Sequence, residues 1–134
     1  MKKRQVVITG AGACGLMAAI MAARNGAAVT VLEQNEKPGK KICATGNGRC
    51  NFSNLARPDD AYRGEHPEFV EDALREFSVE NTIEFFKEIG IYPLNRNGYL
   101  YPRSNQAQSV VDVLCMEAAS LGVKIKTNEQ VNKK

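Results

Sequence analysis

Three glycines and one acidic residue near the start of the chain have the types and spacing needed to hold a dinucleotide. Gly10, Gly12 and Gly15 form a GxGxxG pattern, and Glu33 follows it at the end of an apolar segment. In this motif the first glycine permits a tight turn, the second lets the backbone approach a pyrophosphate, and the third allows close helix packing. The Glu33 carboxylate can accept hydrogen bonds from ribose hydroxyls and would repel a 2′-phosphate, which favours FAD or NAD over NADP at this site.

The elements predicted around this motif are those that its chemistry requires. Residues 5–9 predict a strand, and the following apolar stripe predicts a helix over residues 13–25 that ends at Gly26. Residues 28–32 are nearly all apolar and predict a second strand, so residues 5–33 predict a βαβ unit. The free N–H groups and positive dipole end of the helix would face a phosphate. The alternative is an ordinary strand-to-helix turn with a solvated Glu33, which this context disfavours.

Composition limits the classes of partner. The chain has 134 residues, 43% of them hydrophobic and 25% charged, which suits a single domain with its own core. A net charge of +3 is too small to favour nucleic acid, and no apolar run is long enough to span a bilayer. These properties predict a cytoplasmic protein that acts on a small molecule and binds neither nucleic acid nor membrane.

The cysteines predict neither a metal centre nor a disulfide framework. The sequence has four cysteines in no CxxC pair and a single histidine, His66. Zinc sites and disulfide scaffolds both use closely spaced pairs or larger sets of these residues. We therefore expect the cysteines to act mainly as small hydrophobic residues.

The rest of the chain predicts further elements after a long irregular segment over residues 34–64. A helical segment over residues 66–90 has Pro67 at its first position and a break at Ser78, which can cap a second helix. Its two predicted core faces contain Val70, Ala73, Leu74 and Phe77, then Val79, Ile83, Phe86 and Ile89. A hairpin over residues 91–102 turns at Asn97-Gly98, and a helix and third strand follow over residues 106–127, the helix with Val110, Val111, Leu114 and Ala118 facing the core.

Residues 37–54 form a second group with chemical potential. Gly46 and Gly48 allow backbone N–H groups to converge on an anion, and Lys41 and Arg49 add positive charge for a phosphate. The asparagines of this segment, Asn47, Asn51 and Asn54, can bond polar atoms of a ring or ribityl chain. Without the glycine motif before it, this segment would be interpreted as a flexible, solvated loop.

Three segments together resemble the BaiN-type NAD(P)/FAD-dependent oxidoreductases, bacterial flavoproteins also described as aminoacetone-oxidase-like. They are GAGACGLMAAIMAARNG, VLEQNEKPGKKICATGNGRCNFSN and GYLYPRSNQAQSVVDVL. The GKK…TGxGRCNxxN block is much more specific than GxGxxG. The resemblance covers essentially the whole chain but only the N-terminal part of the family's length.

The resemblance implies an α/β, Rossmann-like fold, in which residues 1–134 are the N-terminal portion of the FAD-binding domain of a flavoprotein of the two-dinucleotide-binding type. It implies that the FAD pyrophosphate is held by Gly10, Gly12, Ala13, Cys14 and Gly15, and that Glu33 binds the adenosine ribose. It also implies that the flavin side of the site is lined by Lys41, Gly48, Arg49, Cys50 and Asn51. It further implies that adenine is contacted by the backbone of Val131. Cys14 stands where alanine is more usual in the family.

The sequence thus predicts an FAD-dependent oxidoreductase in which a hydride passes from NAD(P)H through the flavin to an organic acceptor such as a conjugated enone. No residue is identified as a general acid or base, while Arg49 next to Cys50 predicts a thiol of low pKa near the flavin. One alternative is an NAD-dependent dehydrogenase that uses the same βαβ unit. Another is a truncated, non-catalytic fragment whose exposed sheet edges would favour self-association.

Overall fold

The computed structural model describes residues 2–56 and 61–132 of the chain. In chain order the elements are β1 (Gln5–Thr9), α1 (Ala13–Arg24), β2 (Ala28–Leu32), α2 (Lys40–Ala44), β3 (Ser53–Asn54), α3 (Phe69–Glu76), α4 (Val79–Glu88), β4 (Pro93–Arg96), β5 (Tyr99–Pro102), α5 (Ala107–Ser120) and β6 (Lys124–Lys126). Residues 57–60, part of the segment predicted to be irregular, lie outside the described residues.

A three-stranded parallel sheet carries the glycine motif. Its strand order is β1-β2-β6, and Val6 pairs with Val29 while Ile8 pairs with Val31. These four side chains lie on the sheet face that packs against α1 and α5, where Val29 and Val31 are buried. Because all three strands run in the same direction, their carboxyl ends meet at one edge, the place where α/β sheets bind ligands.

The first helix and the last long helix form the core as their patterns predict. In α1 the buried residues are Leu16, Ala19 and Ile20, and in α5 they are Ala107, Val110, Val111, Leu114 and Ala118. The two helices pack against each other beside the sheet. An apolar stripe repeated every three to four residues therefore gave the correct buried face in both helices.

The segment predicted to be irregular is more ordered than expected. It contains α2, a 3-10 turn over Thr45–Gly48 and the short strand β3. The helix α2 begins after Gly39, which has a φ of 75°, and buries Ile42. The prediction missed α2 because a single buried residue among glycines and lysines gives no apolar periodicity.

The helical segment needs two corrections. The helix α3 begins at Phe69 after Glu68, so Pro67 lies before the helix rather than at its first position. No residue of α3 is fully buried, and of its predicted core face Val70 and Leu74 are half-buried while Ala73 and Phe77 are exposed. In α4 the fully buried aromatic residue is Phe85, whereas Phe86 is half-buried against Phe52. The Ser78 cap is present, and Asn81 completes a capping box with it.

The hairpin is present with its predicted turn, and a third strand joins it. β4 and β5 pair in antiparallel fashion, and the turn residues Asn97 and Gly98 have φ values of 52° and 90°. These positive φ values are those that asparagine and glycine tolerate in a two-residue hairpin turn. β3 pairs with the other side of β5, which gives the order β3-β5-β4.

Among the described residues, no helix is long and apolar enough to cross a membrane.

Candidate dinucleotide-binding site

The glycine turn has the geometry that its spacing predicts. Gly10 has a φ of 88°, and its N–H donates to the carbonyl oxygen of Leu32 at 2.7 Å, so the end of β1 is fixed to the end of β2. A Cβ at Gly15 would collide with the carbonyl of Gly10, which shows how closely α1 approaches the strand. A Cβ at Gly12 would meet nothing within 4 Å. The space above Gly12 is therefore open for a phosphate group.

The N-terminus of α1 points into this open space without a cap. Gly12 is the N-cap residue, no side chain of residues 2–56 and 61–132 caps the first turn, and the first turn contains no acidic residue. Ala13 and Cys14 are both exposed. The first N–H groups of an α-helix lack partners within the helix, and the positive end of its dipole attracts anions. An uncapped first turn next to a glycine without steric obstruction fits a dinucleotide pyrophosphate.

Glu33 is a buried carboxylate at the same edge of the sheet, with a side chain only 6% exposed. Its Oε2 accepts the N–H of Ala11 at 2.7 Å, and its Oε1 accepts the N–H of Asn35 at 2.8 Å and the Asn35 side-chain amide at 2.7 Å. The N–H of Asn35 and, after it, that of Ala11 hold the pKa of the Glu33 carboxyl below its usual range, although burial acts in the opposite direction. Glu33 is therefore ionised at neutral pH.

This arrangement leaves Glu33 able to bind a further hydroxyl group. Each carboxylate oxygen can accept two hydrogen bonds, and Oε2 receives one from Ala11. The structure thus places the predicted ribose acceptor beside the predicted pyrophosphate turn. Asn35, which fixes the carboxylate, was not identified from the sequence. Its signal is an asparagine two residues after an acidic residue, a spacing at which side chains commonly bond nearby backbone and side-chain groups.

The segment after β6 returns to Glu33. The N–H of Glu129 donates to the Glu33 carbonyl oxygen at 2.9 Å, and the N–H of Asn128 donates to that of Asn35 at 3.1 Å. Val131 lies two residues further on, with a side chain that is 56% exposed. The predicted adenine contact and the predicted ribose contact are thus on neighbouring segments.

A backbone hydrogen bond joins the glycine turn to the second predicted group. The N–H of Gly39 donates to the carbonyl oxygen of Ala11 at 2.8 Å, just before α2 begins. A Cβ at Gly39 would lie 2.5 Å from Cγ2 of Val111, so only glycine fits between the turn and α5. Sequence reasoning did not assign this role to Gly39. The contact places the start of residues 37–54 directly against the dinucleotide turn.

The loop that follows α2 has an unusual backbone. Gly46, Asn47 and Gly48 have φ values of 55°, 54° and 79°, and Cys50 has a φ of 59°. The N–H groups of Arg49 and Cys50 donate inward, to the carbonyl oxygens of Gly46 and Thr45. These two amides therefore hold the loop together, and the expected convergence of backbone N–H groups on an anion depends on the other residues of the loop.

Lys41 and Arg49 supply positive charge at this loop, whereas Asn51 fixes the loop to the rest of the fold. Lys41 is exposed on α2, and Arg49 is half-buried with its Nε donating to the Gly46 carbonyl oxygen at 3.3 Å. The amide nitrogen of Asn51 instead donates to the carbonyl oxygens of Ser53 and Leu100, at 3.0 and 3.1 Å. Asn51 thus ties the loop to β5, and only its amide oxygen is left for a ligand.

The expected low pKa of Cys50 is wrong. The Cys50 side chain is buried, and this burial raises the pKa of its thiol although a hydrogen bond with the Thr45 side chain opposes the effect. The adjacent Arg49 is not among the groups that shift this pKa, and its guanidinium lies over the Tyr101 ring. Cys50 therefore acts as a small core residue that supports the loop.

A parallel sheet with a glycine turn, an uncapped helix and an acidic residue at its carboxyl edge defines a Rossmann-type dinucleotide-binding protein. Over residues 4–134 the sequence matches the family described as HI0933-like protein Rossmann domain. The chain belongs to this family. Membership supports the prediction of FAD as the cofactor.

Named relatives and a solved structure agree with this assignment. A 3-dehydro-bile acid delta(4,6)-reductase of Clostridium scindens is 49% identical over 95% of this chain and 32% of that protein. A ribosomal RNA dihydrouridine synthase of Escherichia coli is 33% identical over 98% of this chain and 33% of that protein. The chain thus spans about a third of the length of these curated relatives. The 3-ketosteroid-delta4-(5alpha)-dehydrogenase from Rhodococcus jostii RHA1 shares the fold, with a TM-score of 0.66 at 18% identity over 96% of this chain and 38% of that one.

Proposed function

We propose that this chain is the FAD-binding portion of an oxidoreductase that reduces a carbon–carbon double bond conjugated to a carbonyl group. When bound, FAD would supply the chemistry of hydride transfer between NAD(P)H and the organic acceptor. The chain's own residues bind and orient the cofactor. The first turn of α1 holds the pyrophosphate, and Glu33 holds the adenosine ribose.

The observation that carries this proposal is the hydrogen bond between Gly39 and Ala11. It joins the dinucleotide turn to Gly39, at the start of the second predicted group over residues 37–54, so the two predicted groups are in direct contact. An NAD-binding βαβ unit needs the turn and the acidic residue but has no use for the second group. The pairing therefore favours FAD over NAD and disfavours the alternative of a nicotinamide-dependent dehydrogenase.

The choice of acceptor rests on the relatives. One relative is named as a 3-dehydro-bile acid delta(4,6)-reductase, and another is named for making dihydrouridine in ribosomal RNA. Both names describe the addition of two hydrogens to a double bond that a carbonyl group polarises. We therefore propose an enone-type acceptor for the protein that contains this chain.

A small-molecule acceptor is favoured over RNA. The relative named for a small-molecule substrate is 49% identical, against 33% for the relative named for ribosomal RNA. The net charge of the chain is only +3, low for a nucleic-acid surface. Uridine in RNA remains the second candidate because of that relative's name.

The test begins with the absorbance spectrum of the purified chain, with and without added FAD. We expect flavin bands that persist through desalting, while a colourless chain that retains NAD would support the dehydrogenase alternative. The whole protein, loaded with FAD, is then mixed under anaerobic conditions with NADH or NADPH and with a 3-keto-4-ene steroid. Loss of the enone absorbance is the expected result. Turnover of uridine in RNA without turnover of the steroid would select the second candidate.

A further inference from the structure

We propose that Arg49 and Arg96, placed around the ring of Tyr101, form a binding site for a carboxylate or phosphate group of the acceptor substrate. This inference rests on the proposed function for the identity of the substrate, but the anion site itself rests on the geometry alone. We refer to these three residues as the two-arginine cluster.

Both guanidinium groups lie against the same aromatic ring. The Cζ atom of Arg49 is 5.8 Å from the centroid of the Tyr101 ring, and that of Arg96 is 5.7 Å from it. A cation within about 6 Å of a ring is attracted to it, so the ring holds both side chains in place. The residues come from the loop before β3 and from strands β4 and β5, which only the folded hairpin brings together.

Each guanidinium is anchored by one edge, and its other N–H groups have no hydrogen-bond partner among the described residues. Arg49 uses its Nε to bond the Gly46 carbonyl oxygen at 3.3 Å, and Arg96 uses its Nη2 to bond the Asn105 side-chain oxygen at 3.3 Å. Both acceptors are neutral. Because a guanidinium has five N–H donors, most donors of the pair are left for a ligand.

The two positive charges have no counter-charge in the part of the chain that is described. No carboxylate there forms an ion pair with Arg49 or Arg96, whereas Arg24 and Arg75 are both paired with acidic side chains. Two like charges held around one ring repel each other unless an anion lies between or beside them. An anionic ligand would remove this repulsion and take bidentate hydrogen bonds from either guanidinium.

The position of the cluster favours the acceptor over the cofactor as the source of the anion. The ring of Tyr101 packs on the loop, since a Cβ at Gly46 would lie 3.1 Å from its Cε1 atom. This is the loop expected on the flavin side, while the uncapped first turn of α1 already provides the pyrophosphate site. The charge of the cluster is therefore available for a carboxylate or phosphate on the molecule that is reduced.

The first experiment measures the anion site without turnover. The chain is titrated with inorganic phosphate while the guanidinium Nε–Hε signals are followed by NMR. We expect the Arg49 and Arg96 signals to shift together and the Arg75 signal to stay fixed. Arg96→Gln and Tyr101→Leu should each weaken phosphate binding at least about tenfold, while Tyr101→Phe, which keeps the ring, and the control Arg75→Gln should not. Unchanged phosphate affinity in Arg96→Gln would overturn the proposal.

The second experiment identifies the source of the anion. The whole FAD-loaded protein is assayed with a 3-keto-4-ene steroid carboxylate and with its methyl ester. We expect the KM of the acid to be about tenfold below that of the ester, and Arg96→Gln to abolish this ratio while Arg75→Gln keeps it. A weaker FAD affinity in Arg96→Gln, with the ratio unchanged, would assign the anion to the cofactor and overturn the proposal. Phosphate binding without reduction of either steroid would support the site and refute the proposed function.

Discussion

The Oε2 atom of Glu33 and the backbone nitrogen of Ala11 lie 2.7 Å apart, across 22 residues of sequence. This hydrogen bond connects the acidic residue that ends β2 with the middle of the glycine turn that follows β1. One residue of the turn is thus fixed by the same carboxylate that we expect to bind the ribose. Formation of the turn and placement of the ribose acceptor are therefore parts of one local structure.

Replacing Glu33 with glutamine should weaken both the fold and the cofactor site. Three N–H donors face the carboxylate, and an amide that presents its own NH₂ group cannot accept all of them. A buried donor without an acceptor costs about 1–3 kcal/mol. Urea unfolding of Glu33→Gln should show a loss of this size, and FAD affinity should fall. The matched control is Glu36→Gln, an exposed residue of the same loop. Equal losses in the two variants would contradict the prediction.

Acidification should destabilise the chain through Glu33. Because the folded state holds the pKa of this carboxyl below its unfolded value of about 4.3, its stabilising contribution is complete above that value. The contribution is lost as the pH falls through the lower, folded-state pKa. Urea midpoints measured from about pH 7 down to pH 3 should therefore fall more steeply for the wild type than for Glu33→Gln. Parallel pH profiles would show that Glu33 does not contribute.

Alanine at Gly12 and alanine at Gly15 should have opposite effects. A Cβ at Gly15 would collide with the Gly10 carbonyl, so Gly15→Ala should cost about 1–3 kcal/mol or more of unfolding free energy. A Cβ at Gly12 meets no atom, and the φ of −86° there suits alanine, so Gly12→Ala should keep wild-type stability. It should nevertheless lose FAD, because the methyl group occupies the space proposed for the pyrophosphate. Full FAD binding by a folded Gly12→Ala would rule out this position for the phosphate.

The four cysteines should react with a thiol reagent in an order set by exposure. Cys14 is exposed, whereas burial raises the thiol pKa of both Cys50 and Cys115. Since the thiolate is the reactive form, the reaction of Cys50 with a disulfide reagent at neutral pH should be at least about tenfold slower than that of Cys14. Cys14→Ser should remove the fast phase, and FAD should protect Cys14 in the wild type. Rapid modification of Cys50 in the folded chain would contradict its burial.

The parts of the fold that the sequence predicted correctly are those determined by local pattern. The buried stripes of α1 and α5 repeat along a single helix, and the Asn97-Gly98 turn needs only its own two residues. The glycine motif and Glu33 were identifiable for the same reason, because each has a position fixed relative to a neighbouring strand.

The parts that were missed depend on contacts between distant residues. α2 forms where Gly39 fits against Val111, and Asn51 is oriented by the carbonyl of Leu100. The pKa of the Cys50 thiol depends on the burial of this side chain rather than on the neighbouring Arg49. The exposure of α3 is a related case, since an amphipathic pattern does not show which surface, if any, covers its apolar face.

The helices α1 and α5 cover one face of the parallel sheet. On the other face, the Val7 side chain is 65% exposed. Parallel sheets are ordinarily covered on both faces. We therefore expect the chain to self-associate in solution, to an extent that increases with its concentration. Sedimentation velocity over a dilution series would register this as a rising mean mass, and Val7→Thr, which keeps the β-branched shape, should reduce the increase.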